Sequence, residues 1–242
     1  EGARLKITTK LIDNAGNETI GTRSVDTLLV KQVLNNATPI SIASNNADTA
    51  YAKINNTVTV SFTTAEAVLT PTATIQSNNA TVTNIAGNEY TATYTFAGGE
   101  TNGPVSFSIP YHDTFGNPDT LISVTNSSTV VYDDATPSVF ITTYSNNNNT
   151  GYAKLGDSVF VKIESNEKLR SAAVNATILN KVASIESSND DSTFIASIEI
   201  EASDQEGTIS FSFNYQDFAG NEDTRTTTDN SSTVICDMTD PS

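Results

Sequence analysis

The sequence predicts an all-β protein, a series of antiparallel sandwiches set end to end. Apolar and polar residues alternate with period two, as in Thr57-Val-Thr-Val-Ser-Phe62, where Val58, Val60 and Phe62 would face one way. No stretch carries a 3.6-residue apolar stripe. One hairpin unit recurs three times: an alternating strand, an Asp-x-x-Gly-Asn turn, a Thr-rich return strand and an exit ending in Pro. The turns are Asp13-Asn-Ala-Gly-Asn17, Asp113-Thr-Phe-Gly-Asn117 and Asp217-Phe-Ala-Gly-Asn221. They lie about 100 residues apart, a domain length rather than a solenoid repeat.

Taken in order, residues 1–38 read as the last third of a preceding repeat. Leu5, Ile7 and Leu11 alternate with polar neighbours and predict a strand with one buried face. Two strands alone are marginal in water, so this piece needs the first half of its domain or a neighbouring molecule. The expectation is that the sequence is cut from a longer polypeptide. A complete repeat follows over 39–136, with strands around 40–42, 58–62, 73–75, 80–83, 90–96, 105–111 and 129–132. Another fills 137–242, with strands around 139–141, 159–163, 176–178, 194–200, 209–215 and 233–236. The seven short strands of the first of these, with turn signals every ten residues or so, fit a sandwich. A polar loop aligns between the repeats, Ser44-Asn-Asn-Ala-Asp-Thr-Ala-Tyr-Ala-Lys53 with Ser145-Asn-Asn-Asn-Asn-Thr-Gly-Tyr-Ala-Lys154. Tyr51 and Tyr152 are expected to tuck beneath it. The junction Tyr132-Asp-Asp-Ala-Thr-Pro137 has no Gly/Ser tether, and Pro137 restricts the backbone. An extended rod results, at roughly 40 Å per domain.

Composition narrows the function classes. With 12 Lys plus Arg against 28 Asp plus Glu, the net charge is −16. That field repels nucleic acid and anionic membranes and favours cations. Charged residues are only 17% of the chain, and Asn, Ser and Thr take their place, a surface suited to the outside of cells. Cys236 is the one cysteine, so no intrachain disulfide braces the core. It matches Tyr132 and Leu34 and reads as a small buried residue at a strand end. No apolar run reaches the ~20 residues of a membrane span, and no signal peptide is visible.

Further motifs carry a resemblance. Ala153-Lys-Leu-Gly-Asp-Ser-Val159, Tyr90-Thr-Ala-Thr-Tyr-Thr-Phe96, Tyr215-Gln-Asp-Phe-Ala-Gly-Asn221 and Asp229-Asn-Ser-Ser-Thr-Val234 carry it. They resemble the tandem immunoglobulin-like repeats of large microbial surface adhesins and extracellular fibre proteins. Both complete repeats and the leading piece share it. The chain departs from the pattern where Asn55-Asn56 stands for Gly-Asp, and where Asn126 and Asp229-Asn230 stand for Asp-Gly. The resemblance implies immunoglobulin-like sandwiches in an extended array, and junctions that bind calcium in several relatives.

Calcium is the cofactor for which the chain itself offers ligands. Asp133 and Asp134 sit at one repeat boundary, Asp237 and Asp240 at the next. Hard oxygen donors on a short segment suit an ion that takes six to eight of them. Asp113, Asp217 or Asp157 are further candidates to complete a shell. N-glycosylation sequons occur at Asn17, Asn36, Asn55, Asn79, Asn126, Asn148, Asn175 and Asn230. With 26 Asn and 63 Ser plus Thr, about seven would arise by chance, so position matters more than number. His112, the only histidine, aligns with Ile12 and Gln216 and reads as a surface residue. No Gly-x-Ser-x-Gly elbow, phosphate loop or zinc ligand set is present.

The reading is therefore non-enzymatic: a structural segment of an extracellular stalk, adhesin or filament. Its partners are neighbouring repeats of the same chain, and other copies in a fibre. Neither nucleic acid nor direct membrane insertion is expected. A carbohydrate- or surface-ligand-binding module is the alternative, and it would concentrate exposed aromatics in loops at one tip.

Overall fold

A computed structural model describes residues 6–24 and 37–240. Their regular structure is β-strand, with one 3-10 turn at Ser171–Ala173 and no α-helix among the described residues. The chain divides into two compact units. One gathers Glu1–Ala43, Val58–Tyr94 and Val105–Thr129, the other Ser44–Thr57, Thr95–Pro104 and Val130–Ser242.

The first unit holds a hairpin and a larger sheet. The hairpin pairs Lys6–Ile12 with Glu18–Ser24 in register from Lys6↔Ser24 to Ile12↔Glu18. Leu11, on the face expected to be buried, is 71% exposed, and Ile20, paired with Lys10 on the other face, is 63% exposed. The larger sheet runs in the order Pro118–Leu121, Phe107–His112, Ala73–Ile75, Asn78–Ala86, Glu89–Thr95, Thr57–Thr63, Ile40–Ser44. Asn78–Ala86 joins its halves by pairing with Ala73–Ile75 on one side and Glu89–Thr95 on the other. The period-two pattern appears directly: Val58, Val60 and Phe62 are buried, and the residues between them are not.

The second unit contains a full two-sheet sandwich. Val139–Ser145, Ser158–Ser165, Thr193–Glu199 and Ser184–Ser187 form one sheet; Lys181–Val182, Asn175–Ile178, Phe211–Gln216 and Glu222–Arg225 form the other. Lettered in chain order these are A-B-E-D and C′-C-F-G, the strand orders of an immunoglobulin-like fold. Val161, Ile163, Phe194 and Phe213 meet in a core whose buried members run from Ile141 to Cys236, with Val139 and Met238 packed against it. Burial pushes the Cys236 thiol up from its ordinary value, and nearby Asp204 and Glu206 add to the effect.

Each exit segment of this unit is clasped. Val131–Tyr132 runs parallel to Tyr51–Ala52 and antiparallel to Gly103–Pro104. Ile235–Cys236 does the same with Tyr152–Ala153 and Gly207–Thr208. Phe96 and Tyr132 stack at 4.0 Å.

Candidate functional site

The recurring turn is built by its aspartate. In the third copy Asp217 Oδ1 accepts the backbone N–H groups of Gly220 and Asn221 at 2.6 and 2.8 Å. Its Oδ2 accepts the Asn221 amide at 2.8 Å. Gly220, at φ +93, takes the left-handed conformation that a Cβ would strain. Asp113 Oδ1 accepts the N–H groups of Phe115 and Asn117, and Asp13 Oδ1 those of Ala15 and Asn17, so these copies use the residue two on where the third uses the glycine. Asp113 and Asp217 are 0% and 2% exposed. The Asn17 side-chain amide, with that residue's backbone N–H, holds the Asp13 carboxyl below its usual range.

Within the second unit the 217–221 turn is gripped from outside its own hairpin. Asn46 donates its amide to the Ala219 carbonyl at 2.7 Å, and the Lys53 ammonium donates to the Gly220 carbonyl. Asn221 donates to the Asp133 carbonyl at 2.9 Å. Phe218 is stacked on Tyr51 at 5.7 Å, with the Arg170 guanidinium 5.9 Å from its ring centre. Arg170 also donates to the Phe218 carbonyl at 2.8 Å. Tyr51 thus reaches a turn near the far end of the sequence rather than tucking under its own loop. Tyr152 does not tuck either and is 44% exposed.

Three carboxylates converge beside this turn. Asp133, Glu167 and Asp217 each offer one oxygen, all within 4.8 Å of one another. Asp133 follows the exit strand, Glu167 the strand Ser158–Ser165, and Asp217 opens the turn. Leu169, two residues after Glu167, bridges to Asp217 and fixes the separation. Desolvation pushes the Asp133 carboxyl up despite a hydrogen bond from the Ala135 N–H, and Asp217 and Asp134 repel it further. Desolvation also raises Glu167, with Asp133 and Asp217 adding repulsion. Clustered like charges that lose water in this way are relieved by a proton or a cation. The donors are hard oxygens, as calcium or magnesium requires.

Of the boundary residues singled out from sequence, Asp133 lies in the cluster. The Asp134 carboxylate instead accepts the Tyr132 hydroxyl at 3.1 Å. Asp237 and Asp240 are exposed at the second exit, and Asp237 caps the Thr239 N–H at 3.2 Å. Asp157 is held below its usual range by the Asn147 amide and the Lys154 N–H, within its own loop. Glu167 was not anticipated. Aligning the repeats reveals it, because Glu66 stands two residues before Val68, which bridges to Asp113 as Leu169 bridges to Asp217. Among the sequons, Asn17, Asn55, Asn79, Asn126, Asn148, Asn175 and Asn230 are exposed, and Asn36 lies outside the described residues. His112 is exposed at a strand end.

No protein-family model matches the sequence, and no curated protein matches it. Among solved structures, the chain is similar to a calcium-stabilised adhesin with which an Antarctic bacterium reaches out and binds ice. Identity is 20% over 96% of this chain, and the TM-score is 0.45. The chain spans 56% of the length of that structure. It is also similar to a marsupial T cell receptor, at 9% identity over 84% of this chain and 75% of that one, with a TM-score of 0.41. The major pilin subunit of Bacillus cereus is similar at 14% identity over 96% of this chain and 77% of that one, with a TM-score of 0.23. Likenesses this distant say nothing about function.

Proposed function

We propose that the chain is a non-enzymatic structural segment of an extracellular stalk, adhesin or filament, made of immunoglobulin-like repeats over 39–136 and 137–242 after the end of a preceding one. The observation that carries this is the gripped 217–221 turn. On the repeat boundaries read from sequence, Tyr51, Asn46, Lys53 and Asp133 belong to one repeat and the turn to the next. A device that hydrogen-bonds backbone carbonyls and stacks an aromatic serves to join successive domains. Force-extension of the whole chain tests the reading. Each complete repeat should unfold in its own step, releasing about 350 Å of contour at ~3.5 Å per residue. One step spanning both repeats would refute serial domains.

Calcium belongs to the same reading. Asp133, Glu167 and Asp217 would hold the ion at the joint, which would then lose its repulsion and stiffen. Asp134 lies beside that site, and Asp237 and Asp240 occupy the corresponding boundary after the next repeat. The support is the convergence of three hard donors, two of them raised above their usual range. Millimolar calcium should raise the melting temperature by several degrees over chelator, since an ion bound only by the folded state stabilises it. A melt unchanged by calcium removes the ion from the account and leaves the serial domains standing. An extracellular or cell-surface location belongs to the same reading.

A further inference from the structure

The loop that grips the turn has a twin. Ser44 and Ser145 N–H groups donate to the Thr49 and Thr150 carbonyls. Asn46 and Asn147 amides donate to Asn56 and Asp157. Lys53 and Lys154 N–H groups donate to those same two side chains. The exit segments attach alike, Asp133 N–H to the Ala52 carbonyl and Asp237 N–H to that of Ala153. The loops therefore match in backbone and in bracing. They differ in occupancy. Tyr51 and Lys53 are half-buried against Phe218 and Gly220. Tyr152 and Lys154 are exposed, as is Leu155 at 56%. Among the described residues no turn occupies the second loop.

The geometry points to loop 145–154, with the exit at Asp237, as a socket for the Asp-Phe-Ala-Gly-Asn turn of a following copy of the 137–242 repeat. This rests on the serial reading and names the partner that this loop accepts. The occupied loop defines the fit. Phe218 supplies the stacking ring, and the carbonyls of 219 and 220 accept from Asn and Lys. Ala219, between Phe218 and Gly220, is 1% exposed. The turn at 113–117 carries Thr114 where the stacking ring is needed and Phe115 where the alanine is buried. Residues Pro241-Ser242 repeat Pro137-Ser138, so a copy of 139–242 placed after Ser242 recreates the junction length.

Hydrogen exchange by mass spectrometry tests this on two proteins. One is the chain extended by a copy of 139–242, with Asn148→Gln in that copy to separate the two loops by mass. Loop 145–154 of the original repeat should exchange about tenfold more slowly than in the unextended chain, matching loop 44–53. Tyr152→Ala should return it to the fast rate. A loop that stays fast beside an appended copy whose strand 158–165 is protected overturns the proposal. The other needs no added domain. Ala47→Asn, Asp48→Asn and Ala50→Gly convert the occupied loop to the sequence of its twin. Turn 217–221 should keep its protection in this variant and lose it in Tyr51→Ala. Loss in both overturns the proposal. Either failure is separable from failure of the serial reading, which the force-extension steps decide.

Discussion

Asp217 does two jobs whose energetics conflict. Its carboxylate satisfies three donors of the turn, yet it faces Asp133 and Glu167 within 4.8 Å. Asp217→Ala should cost about 1–3 kcal/mol, because buried N–H groups lose their acceptor. The shift in urea midpoint measures it. Asp13→Ala, in an exposed hairpin, should cost far less. Glu167→Gln removes one repelling charge and should stabilise the metal-free chain at neutral pH by up to about 1 kcal/mol, discounted for partial exposure, while weakening any calcium gain. The pH dependence follows from the signs. Asp133 and Glu167 are raised, so in the folded state they bind protons that the unfolded chain has released. In chelator, stability should therefore rise as pH falls from neutral through their raised values. Below the ordinary carboxylate range it should fall again. There Asp229, held down by the Ile141 N–H and Arg225, and Asp204, held down by the Glu201 N–H and Lys181 against desolvation, take up protons. Urea midpoints across roughly pH 2–8 in chelator check this, and Glu167→Gln should flatten the upper arm.

At the scale of elements, tight turns use different residues for one backbone shape. Asn55 at φ 69 stands where the second repeat has Gly156 at φ 84. Asparagine tolerates the left-handed region better than other side chains, which resolves the departure at Asn55-Asn56. Asn55→Gly should leave the melting temperature nearly unchanged, whereas Asn55→Val should cost about 1 kcal/mol or more. At the exits, Ser127 and Ser231 take the positive φ, braced by Asn126 and Asn230 accepting the N–H of Ser128 and Ser232. The long strands were legible because seven alternating residues leave a pattern. Strands of two to four residues, such as Lys181–Val182 and Ser184–Ser187, leave none; Val182 is 86% exposed. Glu167 was hidden for another reason. Its role depends on two residues far along the chain, and only the repeat alignment with Glu66 marks it. The fate of Tyr152 was illegible because sequence equivalence with Tyr51 says nothing of whether a turn sits on the ring.

At the scale of the whole molecule, charge and clasp dominate. A net charge of −16 disfavours every compact state, and salt screens that self-repulsion. Raising sodium chloride from low to about physiological ionic strength, where the screening length is ~8 Å, should raise the melting temperature in chelator. A calcium response beyond this baseline would be site-specific. The parallel pairing of Val131–Tyr132 with Tyr51–Ala52 has a mechanical corollary. Tension entering ahead of Tyr51 and leaving after Tyr132 would drag these neighbours past each other lengthwise. Their few bonds would then share the strain and break as a group instead of peeling singly, so a two-residue pairing can act as a latch.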